Sequence, residues 1–321
     1  MIIHFLTDAA TIAGTFSAFA AAIIVLAFFT KILPMDHGRA YAVDGTKSKG
    51  KPTGAGLLFI TVFVIFAFLF IPLRIEYLIY YLLIESAMIA GYLDDGAKSP
   101  WSEYRKGLID LAISFLTSLT FAIYSGTSLV FPLLGKEFAL PFPVYLILGT
   151  LLVWASINVT NCTDGVDGLS SSVALVSIGS LLIFSQLIGT YVVWSGTMYI
   201  MAAVLLAYLW FNTNPSRLLM GDAGSRAIGV FLAVCIMQTK QPLTFFVFCF
   251  VFLVDGSAGI IKITLKRFFH IHIFKNVLTP FHDHFRKTLG WSNPQVTTRA
   301  SIVQILLSCL YLCIVYIRLH W

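Results

Sequence analysis

The sequence predicts an all-α polytopic membrane protein with about ten transmembrane helices. Of its 321 residues, 58% are hydrophobic and only 11% are charged, whereas a soluble domain carries about 25% charged residues. Apolar runs of about 18 residues are typical of helices that cross a bilayer. Ten such runs occur, at 9–33, 54–73, 77–93, 108–128, 143–160, 169–189, 191–211, 225–238, 241–262 and 300–319.

The runs follow one another closely, which predicts one integral-membrane domain over residues 1–321. Backbone polar groups inside the hydrocarbon must be hydrogen-bonded within the protein, and this favours helices over an open sheet. The first run is longer than a signal-peptide core and lacks an Ala-x-Ala cleavage pattern, so we expect it to be retained.

The distribution of basic residues predicts the orientation. Most of the 21 Lys and Arg residues follow odd-numbered runs, and the loops on the other side hold Arg74, Lys136, Lys240 and Arg318. The positive-inside rule then predicts cytoplasmic loops after odd-numbered runs and extracytoplasmic termini. The net charge of +6 reflects this asymmetry and suits anionic lipids and phosphorylated substrates, so we expect no nucleic-acid partner.

Four polar clusters interrupt the apolar sequence, at 91–95, 161–168, 220–225 and 282–284. Each cluster follows an odd-numbered run, so alternating crossings put all four on the predicted cytoplasmic face. Carboxylates gathered at one membrane face indicate metal-assisted chemistry on a lipid substrate.

The carboxylates have three different sequence contexts. Asp94 and Asp95 are adjacent, and their repulsion must be relieved by a divalent cation, a nearby Lys or water, although an interfacial loop cap is the alternative. Asp164 and Asp167 are three residues apart, so a helical turn would put both on one side. Asp222 lies between two glycines, where the backbone can approach a ligand closely.

These oxygen ligands favour Mg²⁺ or Mn²⁺ over zinc. Mg²⁺ usually takes one or two carboxylates from the protein and its other ligands from substrate phosphates and water. Ser225 precedes the eighth run and could cap its N-terminus, where exposed N–H groups attract phosphate. We therefore predict a Mg²⁺-dependent site for a phosphate ester or diphosphate.

The longest predicted cytoplasmic loop is 262–299. Residues 279–280 are a typical helix start and Gly290 a typical stop. On such a helix His282 and His284 would lie about 200° apart, so they are poorly placed to chelate one metal together. The helix either contacts an anionic substrate or lies at the membrane surface without a catalytic role.

Two further signals are weaker. The loop at 47–56 is basic and then glycine-rich, and it makes Lys49 and Thr53 candidates for phosphate contact. A positive flank followed by a closely packed helix start would explain the same pattern. Asp110 and Asp255 fall near the cytoplasmic ends of predicted spans, where ionisable groups are costly and hence candidates for the site.

In combination, the clusters resemble the motifs of the polyprenyl-phosphate N-acetylhexosamine-1-phosphate transferases. Residues 91–98, G-Y-L-D-D-G-A-K, are similar to the family's G-F-x-D-D-x-x-K. Residues 161–169, N-C-T-D-G-V-D-G-L, match N-L-T-D-G-L-D-G-L, and residues 220–225, M-G-D-A-G-S, match M-G-D-T-G-S. The motifs occur in family order, from the first predicted cytoplasmic loop almost to the C-terminus.

The resemblance implies ten transmembrane helices, a cytoplasmic active-site cleft and a homodimer in the bacterial plasma membrane. Within the family the chain is most similar to the branch that acts in peptidoglycan synthesis. That similarity implies transfer of phospho-MurNAc-pentapeptide from UDP-MurNAc-pentapeptide to undecaprenyl phosphate, with release of UMP.

By the same resemblance, Asp222 would hold Mg²⁺, and Asp94 or Asp95 would deprotonate or orient the lipid phosphate. Residues 282–284 read His-Asp-His where the muramoyl branch has three histidines. The candidate substrate-binding residues are Lys49, Thr53, Lys98, Asn161, Asp164, Asp167, Gly221, Ser225, His282, Asp283 and His284.

Two alternatives stay open. One is a sister enzyme that transfers GlcNAc-1-phosphate or a related sugar phosphate to a polyprenyl phosphate. The other is an ion-coupled secondary transporter, although most of the carboxylates cluster at one face whereas coupling sites lie near the midplane.

Overall fold

A computed structural model describes residues 9–36, 38, 48–97, 99, 101–131, 136–189 and 194–320. These residues are mostly helical. The α-helices are α1 (Ala9–Phe28), α2 (Gly56–Phe70), α3 (Ile75–Asp95), α4 (Glu103–Tyr124), α5 (Phe142–Thr163), α6 (Leu169–Leu187), α7 (Trp194–Asn212), α8 (Gly221–Gln238), α9 (Phe245–Phe248), α10 (Phe250–Phe269), α11 (Phe281–Lys287) and α12 (Asn293–His320).

The predicted fold class is confirmed, because each of the ten predicted spans overlaps a helix. Six helices are long and apolar enough to cross a membrane, and a bent pair, 242–248 with 250–267, makes a seventh. The short α2 and the more polar α3 and α8 fall outside this group, so ten crossings stay a prediction. The chain is an integral membrane protein.

Helix α8 lies at the centre of the molecule. All of its residues from Asp222 to Met237 are buried, and it packs against α3 and α5 along much of its length. A helix that is buried on every side needs no polar face. The first turn of α8 carries Asp222, so this carboxylate is held in the most rigidly packed part of the structure.

Glycines allow the polar ends of α2, α3 and α8 to meet. A Cβ on Gly91 of α3 would lie 2.3 Å from the backbone carbonyl of Asp222, and a Cβ on Gly56 of α2 would lie 2.0 Å from the backbone N of Gly224. Both distances are far below contact, so a side chain at either glycine would force the helices apart. This close approach brings Asp94 and Asp95, at the end of α3, next to Asp222.

The boundaries of two predicted spans were wrong. The first helix ends at Phe28 and is followed by a 3₁₀ turn, Thr30–Ile32, where the prediction continued to residue 33. The fourth ends at Tyr124, before the β-hairpin of β1 (Ser128–Phe131) and β2 (Lys136–Ala139). The hairpin has antiparallel register, with Ser128 opposite Ala139. The alternation of Thr, Val and Phe with other residues in this loop explains why an apolar run extended into a strand.

Candidate active site

Asp94 and Asp222 direct carboxylate oxygens towards the same cation. The Nζ of Lys106, in the first turn of α4, forms an ion pair with Oδ2 of Asp94 and lies 3.7 Å from Oδ2 of Asp222. The other oxygen of Asp94 accepts a hydrogen bond of 2.8 Å from the backbone N of Trp101. Three helices therefore converge on one position that is occupied by positive charge.

The carboxylate of Asp222 has two more side-chain partners. Its Oδ1 accepts a hydrogen bond of 3.0 Å from Nδ2 of Asn161, at the end of α5. Its Oδ2 lies 3.3 Å from the guanidinium of Arg226, one turn further along α8. Arg226 in turn donates a hydrogen bond of 3.1 Å to Asp110 of α4. The side chain of Asp222 is thus held from both sides.

Asp95 has a different position from Asp94. Its two oxygens accept hydrogen bonds from the backbone N–H groups of Asp222 and Ala223, at 3.1 and 3.2 Å. A carboxylate at the first turn satisfies N–H groups that have no partner within the helix and interacts favourably with the helix dipole. Gly221, with φ of +67°, starts the helix, and a Cβ there would lie 2.2 Å from Oδ2 of Asp95.

The prediction that Ser225 caps this helix was wrong. The helix begins at Gly221, so Ser225 lies inside it. Its hydroxyl donates to the carbonyl of Gly221 at 3.0 Å and accepts from Nδ2 of Asn161 at 3.0 Å. Ser225 therefore positions Asn161 beside Asp222, and the capping group comes from Asp95 on another helix.

Residues 164–168 form the turn between α5 and α6, so the helical turn predicted for Asp164 and Asp167 is absent from this segment. Oδ2 of Asp167 accepts a hydrogen bond of 3.1 Å from the backbone N of Ser216. The hydroxyl of Ser216 accepts one of 2.9 Å from Nζ of Lys51. These contacts connect the turn to the loop before α8 and to the loop before α2.

His282 is paired with Asp255, a contact that joins α10 to α11. The backbone N and Nδ1 of His282 lie 2.7 Å from the two oxygens of Asp255. Burial acts to lower the pKa of His282, but the nearby carboxylates of Asp255 and then Asp283 outweigh it, so the pKa is raised above its usual 6.5. On the opposite side, Nε2 of His282 lies against Gly165, where a Cβ would be 2.3 Å away.

The rest of the histidine segment points elsewhere. Oδ1 of Asp283 lies 3.5 Å from the guanidinium of Arg286, and Nδ1 of His284 accepts from the backbone N of Leu278 at 3.4 Å. His282 and His284 thus face different surroundings, as their spacing predicted. The predicted helix start was off by one residue: α11 begins at Phe281, with Pro280 in the capping position.

The remaining candidates lie around this group. Thr53 is buried and its backbone N donates to the carbonyl of Pro34 at 2.9 Å. Lys49 is exposed on the same loop, and Lys98 lies outside the described residues. Asp164 is half-buried in the turn that faces His282.

The donor set fits a single Mg²⁺ ion. In the described part of the chain no three His, Cys, Asp or Glu side chains form a metal-binding group on their own. Asp94 and Asp222 nevertheless share one cation position, which Lys106 occupies. Mg²⁺ needs no more than one or two carboxylates when a phosphorylated substrate and water supply its other ligands.

Comparison with known proteins identifies the family. A sequence model of glycosyl transferase family 4 matches residues 77–240, the segment that carries Asp94, Asn161 and Asp222. The chain belongs to glycosyl transferase family 4. It is 38% identical over 297 residues to the phospho-N-acetylmuramoyl-pentapeptide-transferases of two Treponema pallidum strains, one of them strain Nichols and the other of subspecies pallidum. Each alignment covers 87% of this chain and 82% of the relative.

Membership in glycosyl transferase family 4 makes this chain an enzyme, and it confirms the resemblance inferred from the motifs. The sequence did not distinguish Lys106 or Arg226 from the basic residues that set topology. For Arg226 there was a signal, since it follows Asp222 by one helical turn and adjoins an apolar run. For Lys106 the pairing with Asp94 is visible only in three dimensions.

Proposed function

We propose that the protein transfers phospho-MurNAc-pentapeptide from UDP-MurNAc-pentapeptide to undecaprenyl phosphate, giving lipid I and UMP. The names of the Treponema pallidum relatives support this substrate pair. One structural observation carries the proposal: Asp94 and Asp222, from different helices, share a single cation position with Lys106. Such a site suits a reaction between two phosphorylated molecules, because their negative charges must be neutralised before they can approach.

In this reaction an oxygen of the lipid phosphate forms a bond to the β-phosphorus of the UDP-sugar. The bond between that phosphorus and the bridging oxygen breaks, and UMP leaves with the bridging oxygen. Asp94 faces the cation position, so it orients the lipid phosphate or accepts its proton. Lys106 neutralises charge on the reacting phosphates, and Asp95 maintains the helix start that carries Asp222.

Mg²⁺ is the cofactor of this proposal, with Asp222 as its protein ligand. When bound, it would stabilise the negative charge that develops on the leaving UMP. Asn161 fixes one oxygen of Asp222 by a hydrogen bond of 3.0 Å, which keeps the carboxylate oriented towards the cation position.

The nucleotide-sugar would bind beside the turn at 164–168. His282 lies against Gly165 of this turn, and Asp164 is half-buried within it. A raised pKa keeps His282 cationic, and a cation there suits the anionic groups of the UDP-sugar. Lys49, Lys98 and His284 are further candidates for these contacts.

The site would face the cytoplasm, with both termini outside, because the loops that surround it carry most of the basic residues. This is where UDP-linked precursors are available. We also expect the protein to form a homodimer in the plasma membrane, as the family resemblance implies.

Release of UMP by the purified protein in detergent tests the proposal. The reaction would contain undecaprenyl phosphate and UDP-MurNAc-pentapeptide, with either Mg²⁺ or EDTA, and a parallel reaction would contain UDP-GlcNAc. Asp222→Ala is the matched inactive variant, and we expect it to lose at least about 1,000-fold in rate while it extracts and elutes like the wild type.

Each outcome has a distinct meaning. Mg²⁺-dependent release with the muramoyl substrate alone would establish the reaction and its specificity. Release with UDP-GlcNAc alone would keep the chemistry and replace the substrate by that of a sister transferase. A substantial rate from Asp222→Ala would exclude the metal assignment, and no release with either sugar would exclude both transfer reactions.

A further inference from the structure

Arg226 is a buried cation at the base of the site. Its side chain is 3% exposed, and its guanidinium lies between two carboxylates, with NH1 3.1 Å from Asp110 and NH2 3.3 Å from Asp222. Asp110 is buried as well. The pair therefore brings a positive charge up to Asp222 from inside the helix bundle, whereas Lys106 approaches it from α4.

Stability alone is a weak reason for such a pair. Taking two charges out of water costs free energy that their attraction repays only partly, and apolar residues of similar size often fill the same space without loss. What the pair adds is a fixed contact to Asp222: with Asn161 on Oδ1 and Arg226 on Oδ2, both oxygens of the carboxylate have a partner.

We propose that Arg226, held by Asp110, is a positioning residue that fixes the Asp222 carboxylate and weakens its binding of a divalent cation. This inference rests on the proposed function, in which Asp222 binds the metal. The guanidinium occupies one direction of approach to Oδ2 and repels a second cation at the same oxygen. A divalent ion bound there then depends more strongly on substrate phosphates for its remaining ligands.

The test is direct binding of Mn²⁺, followed by electron paramagnetic resonance of the free ion, to the full-length protein in detergent. Removal of a unit charge about 4 Å from a ligand oxygen should change the dissociation constant by at least about tenfold. Arg226→Met should therefore bind Mn²⁺ at least about tenfold more tightly than the wild type. Arg226→Lys keeps the charge and should stay close to the wild type.

Arg226→Met alone leaves Asp110 buried without its partner, which is strongly destabilising. The double variant Arg226→Met/Asp110→Asn removes both charges and should recover the wild-type melting temperature. We expect it nevertheless to bind Mn²⁺ more tightly than the wild type and to reach half-maximal UMP release at a lower Mg²⁺ concentration. A purely structural pair would restore all three properties together.

The controls separate this inference from the proposed function. If Mn²⁺ binds the wild type no better than Asp222→Ala, the metal assignment fails and the inference fails with it. If Asp222→Ala abolishes binding but the double variant and Arg226→Lys both bind as the wild type does, the metal site stands and the role given to Arg226 is wrong.

Discussion

The carboxylate of Asp95 lies across the N-terminus of the helix that carries Asp222. It accepts the backbone N–H of Asp222 itself at 3.1 Å and that of Ala223 at 3.2 Å. Its neighbour Asp94 instead forms an ion pair with Lys106. Two adjacent acidic residues thus have different roles, one in the support of the site and the other within it.

Substitution of each aspartate by asparagine should separate these roles. Asn is about as good a helix cap as Asp, so Asp95→Asn should keep most of the stability and a measurable rate. Asp94→Asn removes the charge that pairs with Lys106, and we expect it to lower the rate of UMP release by at least about 100-fold. Rates and melting temperatures of both purified variants test this difference.

Asp95→Ala supplies the structural control. Loss of the cap should lower the free energy of unfolding by about 1–2 kcal/mol, with a melting temperature below that of Asp95→Asn. A larger loss of rate in Asp95→Asn than in Asp94→Asn would reverse the assignment of the two carboxylates.

The close approach of α3 and α8 predicts that Gly91 tolerates no side chain. In Gly91→Ala the new Cβ would lie 2.3 Å from the backbone of Asp222, so one helix must move and Asp222 must move with it. We expect a loss of about 1–3 kcal/mol in stability and a large loss of rate. Gly107→Ala is the matched control, because a Cβ there meets no atom within 4 Å. It should be neutral or stabilising by up to about 1 kcal/mol.

Much of the fold could be predicted because the bilayer fixes the length and polarity of each span. Every predicted span overlaps a helix, and alternation of the crossings correctly grouped Asp94, Asn161 and Asp222. Errors occurred where apolar composition continued past a helix end, as in the β-hairpin after Tyr124. Hydropathy does not distinguish an apolar strand from the end of an apolar helix.

The site was less predictable, because its specificity comes from long-range contacts. The sequence shows Asp94 and Asp95 as equals, and only packing reveals that one of them caps α8. Asp255 and His282 are separated by 27 residues, and neither of them contains a pattern that identifies the other. Basic residues are expected on this face for topology alone, which concealed the role of Lys106.

Asn161 should control the orientation of Asp222. Its Nδ2 donates hydrogen bonds to Asp222 and Ser225, each of 3.0 Å, so Asn161→Ala leaves the carboxylate without this partner. We expect the rate of UMP release to fall by at least about tenfold, since one hydrogen bond to a charged group contributes about 1.5–3 kcal/mol. Asn158→Ala, one turn earlier, loses only a bond to the carbonyl of Trp154 and should retain most of the rate.

The ion pair of His282 with Asp255 predicts a specific dependence of stability on pH. The pKa of His282 is raised above 6.5 in the folded protein, so the folded state binds this proton more tightly than the unfolded state does. The resulting stabilisation is fully present below pH 6.5 and is lost as the pH rises through the raised pKa. His282→Gln and Asp255→Asn should each remove it.

Melting temperatures of the wild type and both variants, measured in one detergent from about pH 5.5 to 9, test this prediction. We expect the difference between the wild type and His282→Gln to be largest at the acidic end and to shrink towards the alkaline end. Asp255→Asn should show the same trend, because it removes the carboxylate that stabilises the imidazolium. A difference that stays constant with pH, or grows as the pH rises, would mean that the folded protein holds His282 in its neutral form.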